Sequence, residues 1–218
     1  MPYQNRVTPY SQIIASPARG TLMGNRGVLH DNEGQIKHHY RGKRWIICLL
    51  SFKGRQRQVM SPGRYTELFF LDEATALAAG HRPCAECMRP RFKEFQARWA
   101  QANPEVAGCT SPPVTVIDAV LHQERLARSG RNQKRTYQAQ VAALPPGTFV
   151  SLAPGGPAYL LLADRLLLWQ PGGYGPPLER PLDRPVQVLT PASTVRAIAH
   201  GFVPQLHASA GAGLTFDR

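Results

Sequence analysis

In the N-terminal half the most apolar run is Trp45, Ile46, Ile47, Cys48, Leu49 and Leu50, set between Gly42 and Gly54. A run this short, bounded by turn residues, predicts a buried strand over residues 45–52. Residues 65–71 predict a second strand, with Pro62 and Gly63 as the turn before it. Asp72 then offers a side-chain oxygen to cap a helix, residues 73–79 are rich in alanine, and Gly80 suits the left-handed residue that closes one. Arg82 precedes proline and is expected to be extended. Pro90 opens a helix over residues 90–102, with Phe92, Phe95 and Trp99 on one face and Pro104 as its stop.

Beyond this helix the pattern changes twice. Residues 109–114 read as a linker, and residues 118–128 as an amphipathic helix carrying Val120, Leu121 and Leu126. From Tyr137 on, short apolar runs at 149–152, 159–162, 166–169 and 186–189 alternate with proline and glycine turns. They predict a small unit of four strands, closed by a helix over 191–199 with Thr190 as its N-cap. The fold class is therefore α+β: a small α/β N-terminal module, connecting helices, and a C-terminal β-rich unit closed by a helix. The expected boundaries are 1–105 for the module, 106–135 for a helical linker, 136–205 for the β-rich domain and 206–218 for a flexible tail.

Hydrophobic residues at 43% and charged residues at 18% of 218 describe an ordinary globular chain and argue against global disorder. No run approaches the length needed to cross a membrane, so a membrane is not an expected partner. The formal net charge of +12 alters the picture, because it favours a polyanion. Between Glu33 and Glu67 there is no acidic residue, while Lys37, Arg41, Lys43, Arg44, Lys53, Arg55, Arg57 and Arg64 all fall there. Lys53, Arg55 and Arg57 alternate and would share one face of an extended strand. Arg44, Lys53, Arg55, Arg57 and Arg64 are the candidate phosphate contacts, with DNA expected ahead of RNA. Tyr40, Trp45 and Tyr65 either stack on bases or belong to the core. A second basic group comprises Arg125, Arg128, Arg131, Lys134 and Arg135. Phosphate contacts position a protein without reading sequence.

The cysteines are Cys48, Cys84, Cys87 and Cys109. The N-terminus opens no apolar signal segment, which leads to the expectation of a cytoplasmic protein. In that compartment the Cys-x-x-Cys of Cys84 and Cys87 reads as a metal or redox motif rather than a disulfide. A tight turn lets both thiolates face one tetrahedral zinc ion. Redox pairs of this spacing cap the start of a helix, whereas Cys84 follows a helix and Pro83. Zinc needs four donors. Cys48, on the first strand, is the third candidate, with a buried core cysteine as its other reading. The fourth comes from among His30, His38, His39, His81 and Cys109. His30 stands out because its glycine-rich loop can fold over the site and Asp31 can orient the imidazole.

The stretch Phe69-Phe70-Leu71-Asp72-Glu73-Ala74-Thr75-Ala76-Leu77-Ala78-Ala79-Gly80-His81-Arg82-Pro83-Cys84-Ala85-Glu86-Cys87 resembles the second half of the metal-binding domain of Ada-type DNA repair proteins. That family combines an aromatic strand, an alanine-rich helix and an Arg-Pro-Cys-x-x-Cys turn. The resemblance implies a zinc ion held by four cysteines, or by three cysteines and one histidine, with Cys84 and Cys87 among them. It also implies a role in DNA repair in which a zinc-bound cysteine accepts an alkyl group, and here Cys48 would be that acceptor. The family's close upstream pair, four residues apart, is not present: Arg44 and Phe52 stand four residues either side of Cys48.

Three functions follow as expectations. The first is a zinc protein that binds DNA in repair or processing. The second is a metal-dependent nuclease, with His30, Asp31 and Glu33, or Asp118, His122 and Glu124, holding a further ion or activating water. Asp118 and His122 lie one helical turn apart and would share a face. The third is a transcriptional regulator or protein-interaction module.

Overall fold

The computed structural model describes residues 1–55, 58–127, 133–181 and 183–211. One sheet is built from β1 (Gln4–Val7), β2 (Ile13–Ala15), β3 (Leu22–Asn25), β4 (Ile46–Cys48), β5 (Leu68–Phe70) and β6 (Arg82–Pro83), in the order β2-β1-β5-β3-β4-β6. The strand expected over 45–52 is paired only from Ile46 to Cys48, because Lys53 (φ +53°) and Gly54 (φ +65°) turn the chain away. Lys53 and Arg55 therefore do not alternate along a strand, and Arg57 lies outside the described residues.

Between β5 and β6 runs α1 (Glu73–Ala78). Asp72 caps it as expected, accepting from the Thr75 N–H at 2.8 Å and from the Thr75 hydroxyl at 2.7 Å. Gly80 follows in the left-handed region at φ +90°. A β-carbon at Gly80 would meet Arg125 Cδ at 2.7 Å, so closeness as well as backbone conformation calls for glycine. Every residue of α1 is buried, and its small side chains explain how. Ala76 and Leu77 pack into one core, while Ala74 and Ala78 pack against Phe149, Leu160 and Leu167 of the second sheet. An alanine-rich helix can be covered on two sides at once because its backbone can approach both layers closely.

Three helices follow: α2 (Arg89–Ala102), α3 (Pro104–Ala107) and α4 (Val114–Arg125). Pro104 opens α3 rather than merely ending α2. The helix expected at 118–128 starts four residues earlier, so Ile117 and Leu121 are its buried apolar positions. Both belong to the main core, and the expected linker is thus an integral part of that core.

The second sheet has β7 (Tyr137–Gln140), β8 (Phe149–Ser151), β9 (Tyr159–Leu161), β10 (Arg165–Gln170), β11 (Gly173–Glu179) and β12 (Pro185–Val188), in the order β11-β10-β9-β8-β12-β7. All its pairings are antiparallel. The four expected strands are present at its centre, and the two that the pattern hid are the edges. β11 contains Pro176 and Pro177, which donate no ladder hydrogen bond and are tolerated at an edge.

The last helix, α5 (Ala192–Ala199), does more than close this unit. Ala197, Ile198 and Phe202 join the core formed by the first sheet, and the Phe202 ring meets Phe95 of α2 edge-on at 5.2 Å. Thr190 is not its N-cap: that hydroxyl accepts from the Phe149 N–H. The capping group is the Glu124 carboxylate of α4, which accepts from the Ser193 N–H at 3.0 Å and from its hydroxyl at 2.6 Å. Packing thus runs across the expected boundaries at 105 and 135. The expected flexible tail is also partly held. The His207 N–H donates to Asp72 Oδ2 at 3.0 Å, and Ala208–Ala210 form a short 3-10 turn. Residues 212–218 lie outside the described residues.

Candidate metal centre

Parallel pairing of β4 with β6 places the cysteines. Ile46 lies opposite Arg82 and Ile47 opposite Pro83, so Cys48 and Cys84 come next in the same register. The Cys84 N–H donates to Ile47 O at 2.9 Å and fixes that register past the strand end. The turn from Cys84 then returns Cys87 to the same point. The sulfurs of Cys48, Cys84 and Cys87 all lie within 4.8 Å of one another. Cys48 is buried, and the other two are half-buried.

Backbone donors surround this group. The Glu86 N–H points to Cys84 Sγ at 3.4 Å, and the Leu49 N–H donates to Cys87. A hydrogen bond from the Cys48 thiol, with those from backbone N–H groups, holds the Cys84 thiol down at about 5. Donating that proton, together with burial, pushes Cys48 up. Burial also pushes Cys87 up. Thiolates packed this closely repel one another, and a cation is what allows all three sulfurs to ionise together. Zn–S bonds of about 2.3 Å in a tetrahedral site set sulfurs about 3.8 Å apart, which this group accommodates. Three close cysteines can hold a metal ion. Among the described residues no histidine or carboxylate completes the group as a fourth donor.

The other expected donors are engaged elsewhere. His30 has Nδ1 against the Thr66 hydroxyl at 2.6 Å and Nε2 against Ser61 O at 3.2 Å, so both ring nitrogens have partners outside the cysteine group. Asp31 does not orient His30. It accepts from the Glu33 and Gln35 N–H groups and pairs with Lys37 at 3.1 Å. His38 lies against Arg41, and Cys109 is exposed.

The acid and base candidates of α4 have structural partners too. Asp118 is buried and accepts from Arg82 Nε at 3.0 Å and Nη2 at 2.9 Å. His122 has Nδ1 facing Arg125 at 3.2 Å and its ring against Tyr40. Glu124 is the cap of α5. The carboxylate and histidine cluster that a nuclease needs is not assembled among the described residues.

Of the candidate phosphate contacts, Arg44, Lys53 and Arg64 are exposed. Arg55 is paired with Glu86 at 2.6 Å, an exposed ion pair between the loop after β4 and the cysteine turn. Trp45 is fully buried and belongs to the core.

A group of buried cations surrounds Trp45, which the sequence pattern did not reveal. Arg26 and Arg125 are fully buried, with their guanidinium carbons 4.1 Å and 3.8 Å from the Trp45 ring centre. Among the described residues neither forms an ion pair with a carboxylate. Arg26 donates instead to His81 Nε2 at 3.1 Å, His39 Nε2 at 3.2 Å and Ser11 O at 3.0 Å. A guanidinium only donates, so both imidazoles accept and must be neutral. Burial, then the nearby Arg26, Lys134 and Arg125, holds His39 down at about 3. The same causes, burial foremost, hold His81 well below its ordinary value. Gly24-Asn25-Arg26-Gly27 reads as turn punctuation, and nothing local marks its arginine as interior.

Comparison with protein-family models, with curated proteins and with solved structures finds no match to this chain.

Proposed function

We propose that this chain is a zinc protein that binds DNA in repair or processing, with Cys48, Cys84 and Cys87 as the zinc ligands. The observation that carries the reading is the convergence of three sulfurs, within 4.8 Å, from strand β4 and the turn after β6, which are adjacent in space but far apart in sequence. Cys48 ranks as a ligand rather than a plain core residue because its sulfur faces the other two. The ion supplies the positive charge that lets the three thiolates coexist and closes a cross-link between β4 and the turn after β6. With three protein donors, the fourth position falls to water or to an exogenous donor. The Ada-like stretch around Cys84 and the net charge of +12, with Arg44, Lys53 and Arg64 exposed, support DNA as the partner.

Metal analysis of the purified protein is expected to find about one zinc per chain. Cys84→Ser is expected to lose the zinc and lower the melting temperature, because metal binding and folding are coupled. A folded wild-type protein that takes up no zinc would end the metal reading. Fluorescence anisotropy with a duplex across a salt series tests the DNA reading. Affinity should fall steeply as salt rises, and a flat response counts against DNA.

A further inference from the structure

The segment 41–44 connects the buried cations to the surface. Its backbone is anchored at three successive residues. The Arg41 N–H donates to Arg26 O at 2.7 Å, Trp45 Nε1 donates to Gly42 O at 3.2 Å, and Arg125 Nη2 donates to Lys43 O at 2.5 Å. Gly27, at φ +107°, lets the segment approach β3, since a β-carbon there would lie 2.6 Å from Arg41 Cβ. A loop held so firmly from beneath has a preset shape. Its side chains Arg41, Lys43 and Arg44 are nevertheless exposed.

These three side chains and the first turn of α4, at Val114 and Thr115, line a cleft of about 570 Å³. Among the described residues none of the three cations forms an ion pair. The one carboxylate in the wall, Asp118, has both oxygens occupied by Arg82. Behind the loop stand Arg26 and Arg125, two interior guanidiniums without carboxylate partners. In a medium of low dielectric their charge is poorly screened and adds to the potential at the cleft. The positive end of the α4 dipole adds to it as well.

We propose that this cleft is a binding site for backbone phosphates of DNA, formed by Arg41, Lys43 and Arg44 on a pre-shaped loop. The proposal rests on the DNA reading above and names where the strand is held, on a part of the surface apart from the cysteine group. The buried arginines act as positioning residues: they shape the loop and raise its potential without touching the ligand.

The test compares a labelled duplex binding to wild type, to Lys43→Glu/Arg44→Glu, and to Lys93→Glu/Arg98→Glu on α2, which carries the same change in net charge. Zinc content and melting temperature verify that each variant is folded, and Lys43→Gln/Arg44→Gln serves if the first does not fold. Loss of the two cleft cations should raise Kd about tenfold or more and reduce the slope of log K against log salt by about two, while the α2 variant should shift Kd only slightly. Equal losses in the two glutamate variants, or wild-type affinity in the cleft variant, would overturn the cleft while leaving DNA binding in place. A zinc-loaded wild type that binds no duplex would sink the DNA reading itself. Saturable binding of ATP or inorganic pyrophosphate that is lost in the cleft variant, with duplex binding unchanged, would reassign the cleft to a small phosphate compound and overturn the proposal.

Discussion

Asp118 shows how a residue's partner decides its role. With His122 one turn away it has the spacing of a catalytic pair, yet its carboxylate closes a two-point pair with Arg82, and both side chains are buried. Removing one partner of such a pair strands the other charge in the interior. Asp118→Asn should therefore lower unfolding stability by about 3 kcal/mol in denaturant titrations and leave zinc content unchanged. The buried histidines give a pH prediction. His39 sits at about 3 in the folded chain against an ordinary 6.5, so below 6.5 the unfolded chain binds the proton first. Stability that is full above pH 6.5 should be lost as pH falls toward 3. Denaturation midpoints measured between about pH 7 and pH 5, before carboxylates titrate, should show the decline. His39→Gln, whose amide oxygen can still accept from Arg26, should make it shallower, leaving the part that His81 contributes. A midpoint that stays level in wild type over that range would remove the neutral-imidazole account.

At the scale of elements, local chemistry was legible where one segment supplies everything it needs. Asp72, the alanines and Gly80 specify α1 within nine residues, and the structure has that helix with that cap. Elements whose support comes from elsewhere were not legible. Thr190 has the right residue type to cap α5, but its hydroxyl serves Phe149, and Glu124 caps the helix from α4. Glu124→Ala should then cost about 1–2 kcal/mol, the range for loss of a helix cap, with little change in DNA affinity. A loss of DNA affinity or of some catalytic activity without loss of stability would return Glu124 to the list of functional groups. The edge strand β11 was hidden for a related reason: its Gly-Pro composition reads as loop, and only its place beside β10 makes it a strand.

For the whole molecule, the expected division into modules did not anticipate the packing. The small faces of α1 are covered by both sheets, and Asp72 adds hydrogen bonds from the Tyr174 hydroxyl at 2.6 Å and the His207 N–H at 3.0 Å. A chain ended at residue 135 leaves Ala74, Ala78 and Asp72 uncovered. It should give a poorly dispersed amide spectrum even when zinc is supplied, whereas the full chain should unfold in one transition. A well-dispersed spectrum from the short chain would show that the N-terminal part folds alone. The α+β class, the paired thiols at Cys84 and Cys87 and the excess of positive charge were all determined by the sequence itself, because each depends on residue type or on spacing along a few turns of chain. Tertiary structure alone decided that Cys48 completes the sulfur group while His30 does not, that Arg26 and Arg125 enclose Trp45, and that the loop at 41–44 faces α4. Each of these is a contact between segments distant in sequence, set by strand register and by which faces must be buried, and no local pattern encodes it.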